Sequence, residues 1–420
     1  MPARFNGAPM GLLYLAAELQ RHDHIVDILD LQALGGNDLL TARLMTFNPE
    51  VVGISSTSPS HKAAIEVARI TKAFVPNAVI VKGGVHETYC SAHTIANVAE
   101  IDYSVCGEAD YSFVLLLYAL EKNAPLSRVP GIVFRNSNGE IERTAMPKTR
   151  IALDSVPPLP RYLLGNSSYY NFRIFDGRRT TQVQTMRGCP YKCSFCNQRN
   201  QAVNAASIEC VVAELARLEA DAYEAVFFDD ATFTVNQKRT LSLVQTLQRS
   251  GISLQFAAQT RSECVTEPLL YEMAKAGFRY LSFGLETTDE SALKQLLKST
   301  SPHAHADHTA RAVENCRNCG IESCLNIIVG LPDETNETLL RTFDFANKLK
   351  PTFVSLSAYA LYPHQDRMTA QQYHEGVSLG PIWNHYDEGY GAVHPHMSEA
   401  RAEEVLLLAR RELGNRLELV

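Results

Sequence analysis

A strand-then-helix pattern repeats about six times between residues 182 and 363, and it limits the possible folds more than any other feature of the chain. Apolar runs of strand length alternate with segments whose apolar residues recur at helical spacing. Such alternation predicts a parallel sheet covered by helices, here a partial, open (β/α)6 barrel. We predict strands at 182–188, 225–230, 254–260, 280–286, 322–330 and 353–363, and helices near 207–220, 236–249, 266–276, 305–319 and 335–349.

Three cysteines, Cys189, Cys193 and Cys196, follow the first of these strands with the spacing C-x3-C-x2-C. Three thiolates can hold three irons of a [4Fe–4S] cluster, which normally takes four cysteine ligands, and the fourth iron is then open to a small molecule. The alternatives are a zinc site or unrelated cysteines. Zinc usually takes four ligands and favours paired C-x2-C spacings, and no second pair follows at a suitable distance. We expect the open iron to carry the chemistry.

The cysteine loop, with Phe195 directly before its third cysteine, resembles the signature of the radical S-adenosylmethionine (SAM) enzymes. The resemblance implies that the open iron chelates the amino and carboxylate groups of SAM. It also implies that an electron, supplied by a reductant of the flavodoxin or ferredoxin type, cleaves SAM to a 5′-deoxyadenosyl radical. Phe195 is expected near the adenine, and Gly330 and Pro332 at the end of the fifth strand are expected to shape the adenine side.

Polar residues at the ends of other barrel strands complete the predicted SAM site, because ligands bind at the carboxyl ends of parallel strands. Arg261 is expected to pair with the SAM carboxylate in a bidentate fit. Glu286 is expected to accept hydrogen bonds from the ribose hydroxyls. Asp229 and Asp230 stand where the family often places polar residues near the SAM amino group. For each acidic residue the alternative is a helix N-cap.

A second alternation of strands and helices precedes the barrel and predicts another parallel α/β sheet, of the doubly wound, Rossmann-like kind. Residues 131–144 add a hairpin around Asn138-Gly139, a strong turn signal. We predict strands at Ile25–Leu31, Val51–Ser56, Ala78–Gly83 and Tyr103–Gly107, and helices at 10–21 and near 60–73, 90–98 and 110–121.

Three motifs of this sheet, Ser55-Ser56-Thr57, Gly83-Gly84-Val85-His86 and Gly107-Glu108-Ala109-Asp110, resemble the cobalamin-binding domain that precedes many radical SAM barrels. In that family the Ser/Thr loop and the Gly-Gly loop line the pocket for the nucleotide tail. The alternative is a generic α/β domain with a glycine turn. The residues expected to contact cobalamin are Ser55, Thr57, Gly83, Gly84 and Glu108.

The first strand of such a domain has no counterpart here, since residues 1–10 contain no apolar strand. That strand lies inside the sheet in the order 2-1-3-4-5, so its absence leaves Ile25–Leu31 unpaired on one side. Three explanations are open: the sequence lacks its true N-terminus, the flanking strands close the gap, or the domain no longer binds a corrinoid.

Residues 30–35 carry Gln32 where other cobalamin proteins have the cobalt-ligating histidine of a D-x-H-x-x-G loop. The stretch also follows the wrong strand. We interpret it as an ordinary strand end and predict no histidine ligand from this loop.

Two further groups of potential ligands are interpreted as structural. Cys316, Cys319 and Cys324 are predicted to be buried apolar residues, since unligated cysteine commonly packs in cores. His303, His305 and His308 open a helix after a polar loop and are predicted to form a solvated face.

Domain boundaries follow from the run Pro157-Pro158-Leu159-Pro160, which marks a linker. We predict a cobalamin-binding-like domain at 1–145, a linker at 146–178, the barrel at 179–364 and a helical tail at 365–420 with a helix near 398–415. The tail has Gln365-Asp366-Arg367 where many relatives have Pro-Gly-Thr. It is also shorter than the domain that often closes over the substrate in that family, so we expect a carrier-bound or partner-presented substrate.

Charge and composition exclude several classes of protein. The formal net charge is −7 and the pI about 6.0, which gives no general basic footprint for nucleic acid. We find no apolar run long enough to span a bilayer and no signal peptide, so we expect a cytoplasmic protein. Ten cysteines without an export signal indicate reduced thiols and a metal cluster.

The resemblance, which covers nearly the whole chain, implies an enzyme that joins radical SAM chemistry to cobalamin, most often for methyl transfer to carbon. One alternative is a rearrangement, ring contraction or cyclisation without methyl transfer. Another is a non-catalytic iron–sulfur redox protein. The strand-end residues argue against a redox protein, because an electron carrier needs no SAM site.

Overall fold

Two β-sheets joined by an irregular linker organise the chain. We describe them from a computed structural model that covers residues 7–34, 36–165, 172–299, 301–360 and 397–418. Residues 361–363, Gln365-Asp366-Arg367 and Gly35, on which predictions were made, lie outside the described residues.

The N-terminal sheet has five strands in the order β1-β2-β3-β4-β5. The first three pair in parallel, and the hairpin adds the last two antiparallel. The strands are β1 Val51–Ser55, β2 Val79–Gly83, β3 Tyr103–Val105, β4 Ile132–Arg135 and β5 Ile141–Arg143. The helices are α1 Met10–Arg21, α2 Leu31–Leu34, α3 Asn37–Phe47, α4 His61–Phe74, α5 Val85–Asn97 and α6 Asp110–Lys122.

The strand predicted at Ile25–Leu31 is wrong. Residues 24–30 have no regular structure, Ile25 is 88% exposed, and β1 is the edge of the sheet. A strand needs a neighbour to satisfy its backbone groups, and none of the described residues provides one next to β1. The flanking strands therefore do not close the gap.

The interpretation of residues 30–35 as a strand end is wrong as well. Asp30 Oδ1 accepts hydrogen bonds from the backbone N–H groups of Gln32 (3.0 Å) and Ala33 (3.3 Å), and Leu31 starts the short helix α2. An aspartate at this position satisfies free N–H groups of the first helical turn. Helix α3, which follows, was not predicted.

The C-terminal sheet is all parallel and has the order β14-β13-β12-β11-β10-β9-β6. Six strands were predicted, and the seventh is a two-residue strand after the last helix. The strands are β6 Thr180–Val183, β9 Ala225–Phe228, β10 Gln255–Thr260, β11 Phe278–Glu286, β12 Glu322–Val329, β13 Phe353–Ala358 and β14 Leu417–Glu418.

The segment between β6 and the cysteines differs from the single strand predicted at 182–188. Strand β6 ends at Val183, and a separate strand, β7 Met186–Arg187, pairs antiparallel with β8 Asn204–Ala205. The cysteine loop is therefore closed at its base by its own two-stranded ribbon.

Helices cover the barrel sheet at the predicted places, and the short helix α10 (Glu290–Gln295) was not predicted. The C-terminal helix packs on α12, and β14 after it pairs with β13, so the described part of the predicted tail belongs to the barrel. The helices are α7 Ile208–Ala220, α8 Gln237–Ser250, α9 Glu267–Lys275, α10 Glu290–Gln295, α11 Pro302–Asn318, α12 Asn336–Leu349 and α13 Glu399–Leu413.

Apolar packing on both faces of the barrel strands explains the continuous apolar runs in the sequence. Phe228, Phe233, Phe256 and Phe278 form a stack with ring centroids 4.7–5.7 Å apart. The predicted doubly wound domain and partial barrel are both confirmed. None of the described helices is long and apolar enough to cross a membrane.

The burial of their side chains tests the predictions made for the second group of cysteines and for the three histidines of α11. Cys316 and Cys324 are buried, as predicted, and Cys319 is half-buried. The prediction of a solvated histidine face is wrong for His305, which is buried with Nε2 3.1 Å from the carbonyl oxygen of Leu285. Its position on the inner side of α11 turns it toward the barrel.

Candidate active site

The three cysteines of the C-x3-C-x2-C array lie in a loop held by backbone hydrogen bonds. Gln201 N donates to the Cys189 carbonyl oxygen (2.8 Å), Asn200 N to Tyr191 (2.7 Å) and Cys196 N to Cys193 (3.1 Å). Cys189 and Cys193 are buried and Cys196 is half-buried. The loop is thus a preformed site with one more accessible thiol.

Gly188 is required at the start of this loop. Its φ is +89°, and a Cβ atom there would lie 2.5 Å from the carbonyl oxygen of Ala202. Only glycine combines this backbone conformation with so close an approach.

The spacing of the cysteines fits a cluster better than a zinc ion. Among the described residues, the group of three possible ligands with atoms all within 4.8 Å of one another is His61, His86 and Glu87. The three cysteine sulfurs are therefore spread more widely. Sulfurs on one zinc at 2.3 Å would lie about 3.8 Å apart. A cluster of four irons accepts the wider spacing.

The side chain of Phe195 extends from the cysteine loop to the carboxyl end of strand β12. It packs in an apolar group with Leu296, Ile328 and Leu331, at the ends of α10 and β12. The backbone N–H of Ser194 next to it donates to the Leu296 carbonyl oxygen at 2.8 Å. The structure thus brings Phe195 to the Gly330–Pro332 strand end, where the adenine was expected.

Arg261 lies against the cysteine loop. Its Nη1 is 3.2 Å from Cys193 Sγ, its Nη2 donates to the Lys298 carbonyl oxygen at 2.6 Å, and its Nε donates to Glu263. The guanidinium also stacks on Tyr191, 4.0 Å from the ring centre. All three nitrogens therefore already have partners in the protein.

Glu286 forms a buried ion pair that the sequence did not reveal. Lys298 Nζ lies 2.9 Å from Glu286 Oε1, and both side chains are almost fully buried. Glu286 has a φ of +63° at an irregularity of β11. A Cβ atom on Gly284 would lie 2.2 Å from Glu286 Oε1, so glycine is needed for the pair to form.

The two aspartates after β9 occupy different environments. Asp230 is fully buried and accepts hydrogen bonds from Thr185 N (2.7 Å), Thr185 Oγ1 (2.6 Å) and Met186 N (3.0 Å). It anchors the segment that leads into the cysteine loop. Asp229 is half-buried, and burial together with the charge of Asp230 raises its pKa to about 7.

The strand end at Gly330 is shaped by a glutamate and a methionine. Gly330 N donates to Glu334 Oε1 at 3.0 Å, and a Cβ atom on Gly330 would lie 2.5 Å from Met397 Cε. Burial raises the pKa of Glu334. Pro332 is half-buried.

The Ser/Thr loop and the Gly-Gly loop of the N-terminal sheet touch each other. Gly84 has a φ of +93°, and a Cβ atom there would lie 2.4 Å from the Ser56 carbonyl oxygen. Ser56 N donates to the Gly83 carbonyl oxygen at 3.2 Å. Ser55 and Thr57 are exposed beside this contact. Gly84 therefore permits the close approach of the two loops, and the exposed Ser55 and Thr57 side chains beside it offer hydroxyl groups to a polar ligand.

Comparisons with known proteins agree with both halves of this description. The family model described as the radical SAM superfamily matches residues 183–346, and the B12 binding domain matches residues 2–117. An uncharacterized methyltransferase from Pyrococcus horikoshii is 31% identical over 365 residues, which are 85% of this chain and 77% of that protein.

The chain belongs to the radical SAM proteins with a B12-binding domain. A cytidylyl-2-hydroxyethylphosphonate methyltransferase from Streptomyces wedmorensis is 24% identical and covers 84% of this chain and 76% of its own length. An anaerobic magnesium-protoporphyrin IX monomethyl ester cyclase from Rubrivivax gelatinosus is 26% identical, over 86% of this chain and 66% of its own.

Solved structures confirm the fold of this radical SAM protein. The methyltransferase TsrM from Kitasatospora setae, solved with cobalamin and a [4Fe–4S] cluster, has a TM-score of 0.77 at 17% identity and covers 100% of this chain and 89% of its own. The predictions of an enzyme and of a [4Fe–4S] cluster, SAM and cobalamin as cofactors are confirmed. As a radical SAM enzyme, the protein needs a reductant.

Glu108 is the predicted cobalamin residue whose surroundings differ most from the expectation. It pairs with Arg150 and lies 3.3 Å from Arg187 Nη1, next to the cysteine loop of the radical SAM barrel. Ser55, Thr57, Gly83 and Gly84 lie together, whereas Glu108 contacts the other domain.

A buried polar cluster behind the Gly-Gly loop was also missed. Glu87 accepts hydrogen bonds from Lys82, from Thr94 Oγ1 (3.0 Å) and from Ser104 Oγ (2.8 Å), and all four side chains are fully buried. Burial lowers the pKa of Lys82, and the charge of Glu87 opposes this effect. The one feature of the sequence that could have indicated this cluster is a lysine, Lys82, inside the apolar strand β2.

His86 extends this cluster to the Ser/Thr loop. Its Nδ1 is 3.0 Å from Ser58 Oγ, and its ring stacks near that of His61 with centroids 3.9 Å apart. Lys82 pairs with Glu87, and this buried polar cluster connects the Gly-Gly loop to the Ser/Thr loop.

Proposed function

We propose that the protein is a cobalamin-dependent radical SAM C-methyltransferase. The observation that carries this proposal is the similarity to a Pyrococcus horikoshii methyltransferase, which extends over both the B12-binding domain and the barrel. The bound cofactors supply electron transfer, radical formation and methyl transfer, and the protein supplies binding, orientation and exclusion of water.

We assign the SAM amino group to Asp229 and not to Asp230. The oxygens of Asp230 are occupied by Thr185 and Met186, whereas no protein hydrogen bond to the Asp229 carboxylate is found among the described residues. A half-buried carboxylate with a pKa of about 7 gains most from a cationic partner. The ammonium group of SAM provides that partner.

Arg261 is better placed to act on the cluster than on the SAM carboxylate. Three of its five N–H donors are already engaged by protein atoms, which leaves one N–H on Nη1 and one on Nη2 for a SAM carboxylate. Its contact with Cys193 Sγ supplies a hydrogen bond of the kind that tunes cluster potentials. Through the Lys298 carbonyl oxygen it also holds the loop that carries the partner of Glu286.

The adenosine part of SAM is assigned to the side of the cysteine loop that carries Phe195. Phe195 packs with Ile328 and Leu331, which flank Gly330 in the chain, and the adenine ring can lie against these apolar side chains. Glu286 remains the candidate for the ribose hydroxyls, since its carboxylate is oriented by Lys298 and has a second oxygen to offer.

Cobalamin is assigned to the loops of Ser55, Thr57, Gly83 and Gly84. Burial raises the pKa of Tyr89 on α5, and the charges of Arg199 and Cys196 act on the same hydroxyl. Tyr89 on α5 is therefore near the cysteine loop, and we expect a substrate to lie between this loop and the loops assigned to cobalamin. A substrate between them would meet both cofactors.

A cyclisation, ring contraction or rearrangement without methyl transfer is the second candidate, because relatives of similar coverage are named as cyclases. A reductant of the flavodoxin or ferredoxin type and a carrier-bound substrate stay predictions.

Anaerobic incubation of the reconstituted enzyme with a low-potential chemical reductant, which reduces both the cluster and the bound corrinoid, and with SAM that carries a trideuterated methyl group separates these candidates without a known substrate. A methyltransferase moves the label to the bound corrinoid and leaves S-adenosylhomocysteine, in equal amounts. The mass of the extracted corrinoid and the S-adenosylhomocysteine count are measured. Release of deoxyadenosine with an unlabelled corrinoid would instead favour the second candidate.

A further inference from the structure

An ion-pair network joins the loop at residues 107–110 of the B12-binding domain to the cysteine loop of the barrel. Arg187, two residues before Cys189, bonds to Asp110 through Nη1 (2.7 Å) and Nη2 (3.2 Å). Its Nε donates to Gln184 Oε1 at 3.0 Å, and its guanidinium lies 4.4 Å from the ring centre of Tyr14. Arg187 and Asp110 are both buried.

Glu108 gives the network a second connection to the cysteine loop. It lies 3.3 Å from Arg187 and also pairs with Arg150, whose Nη1 donates to the Ala202 carbonyl oxygen at 2.7 Å. Ala202 is the residue against which Gly188 packs. The loop at 107–110 therefore holds both sides of the base of the cysteine loop.

The same loop is tied to the Gly-Gly loop on its other side. Gly107 N donates to Thr88 Oγ1 at 3.0 Å, and Thr88 lies in the first turn of α5, directly after Gly83-Gly84. Cys106 Sγ lies 3.4 Å from the Glu87 carbonyl oxygen in that turn. A ligand that orders the Gly-Gly loop thus also orders the loop at 107–110.

We propose that Asp110 and Glu108 couple the two cofactor sites, so that a bound cluster tightens the binding of cobalamin and bound cobalamin tightens the hold on the cluster. The inference rests on the proposed assignment of cobalamin to these loops. Coupling between two sites is reciprocal in binding free energy and typically amounts to a factor of about 5 to 150. Asp110 and Glu108 are positioning residues, since they contact Arg187 and not the reacting atoms.

Equilibrium dialysis with hydroxocobalamin tests the coupling without any substrate. Its dissociation constant is measured for the cluster-free and the cluster-loaded protein, with bound cobalt and iron counted in each. In the wild type, cluster loading is expected to lower the dissociation constant by about fivefold or more. In Asp110→Asn the two constants are expected to be equal within twofold.

Two variants sharpen the test. Glu108→Gln alters a half-exposed side chain, is expected to fold, and is expected to lose part of the coupling. Glu214→Gln removes another arginine–carboxylate pair, with Arg161, which contacts neither loop, and is expected to keep the wild-type ratio. A purely structural role would change both dissociation constants of a variant alike and leave their ratio intact.

Equal dissociation constants in the cluster-free and cluster-loaded wild type would overturn the inference, and so would an undiminished ratio in both Asp110→Asn and Glu108→Gln. Failure of the wild type to bind hydroxocobalamin at all would instead contradict the proposed function, on which the inference depends. These outcomes are distinguished by the cobalt count of the wild-type protein.

Discussion

Lys298 Nζ lies 2.9 Å from Glu286 Oε1 in a pocket from which water is almost excluded. The pair connects the end of β11 to the loop after α10, and Arg261 holds the same loop through the Lys298 carbonyl oxygen. A chain of contacts therefore runs from Cys193, a candidate cluster ligand, to Glu286, the candidate ribose-binding residue.

Removing one partner of this pair is expected to destabilise the protein strongly. Lys298→Met leaves Glu286 as an uncompensated buried charge, which costs about 3–5 kcal/mol. The double variant Lys298→Met/Glu286→Gln is expected to recover a large part of that loss, because no buried charge remains. Denaturant unfolding of the cluster-free protein measures both. Equal loss in the single and the double variant would contradict a buried ion pair.

Asp230→Ala is expected to impair the cysteine loop from a distance. It leaves three donors of Thr185 and Met186 without their acceptor, and each bond to a charged group contributes about 1.5–3 kcal/mol. We expect a lower unfolding temperature and fewer than four irons per chain after reconstitution. Asp229→Ala is the matched control and is expected to retain the full iron count. Normal iron content in Asp230→Ala would show that the anchor is dispensable.

Asp229→Asn is expected to stabilise the cofactor-free protein more at pH 8 than at pH 5. The folded-state pKa of Asp229 is raised to about 7 by burial and by Asp230, above the value of about 3.9 for an unfolded aspartate. The folded state therefore binds this proton more tightly and loses stability as pH rises from about 4 to about 7. Asparagine cannot ionise and escapes this loss.

The unfolding temperature at pH 5 and at pH 8 measures the effect. The control is Asp221→Asn, which changes an exposed aspartate and is expected to alter the unfolding temperature at neither pH. The same Asp229→Asn protein is expected to bind SAM more weakly than the wild type. Stabilisation that is equal at pH 5 and pH 8 would contradict the raised pKa. Unchanged SAM affinity would contradict the assignment to the amino group.

Arg261→Gln is expected to shift the reduction potential of the cluster to a more negative value. The variant removes a positive charge and an N–H donor from Cys193 Sγ, and both favour the reduced cluster. Potentiometric titration followed by electron paramagnetic resonance, in the absence of SAM, measures the shift. Glu263→Gln keeps the guanidinium and is expected to change the potential less. An unchanged potential with a large loss of SAM affinity would support the carboxylate role predicted from the sequence.

The sequence predicts the site to the extent that topology determines it. Parallel strands bring their carboxyl ends to one edge, so the cysteine loop, Arg261, Glu286 and Gly330 could be grouped from the strand pattern alone. Which atoms each charged side chain contacts could not be predicted. The partner of Arg187, for example, is Asp110, 77 residues away in the other domain.

The wrong strand at Ile25–Leu31 has a related cause. Apolar character at strand length indicates that a segment can pair, but pairing also needs a neighbouring strand, and the described residues contain none beside β1. The same limit applies to His305, whose exposure depends on how α11 is turned against the barrel.

Anaerobic reconstitution with iron, sulfide and hydroxocobalamin, followed by iron and cobalt counts, tests the central claim most directly. We predict four irons and one cobalt per chain, with iron lost when Cys189, Cys193 and Cys196 are all replaced by alanine and cobalamin then bound more weakly than by the wild type. Four irons without cobalt in the wild type, or iron retained in the triple variant, would contradict the account.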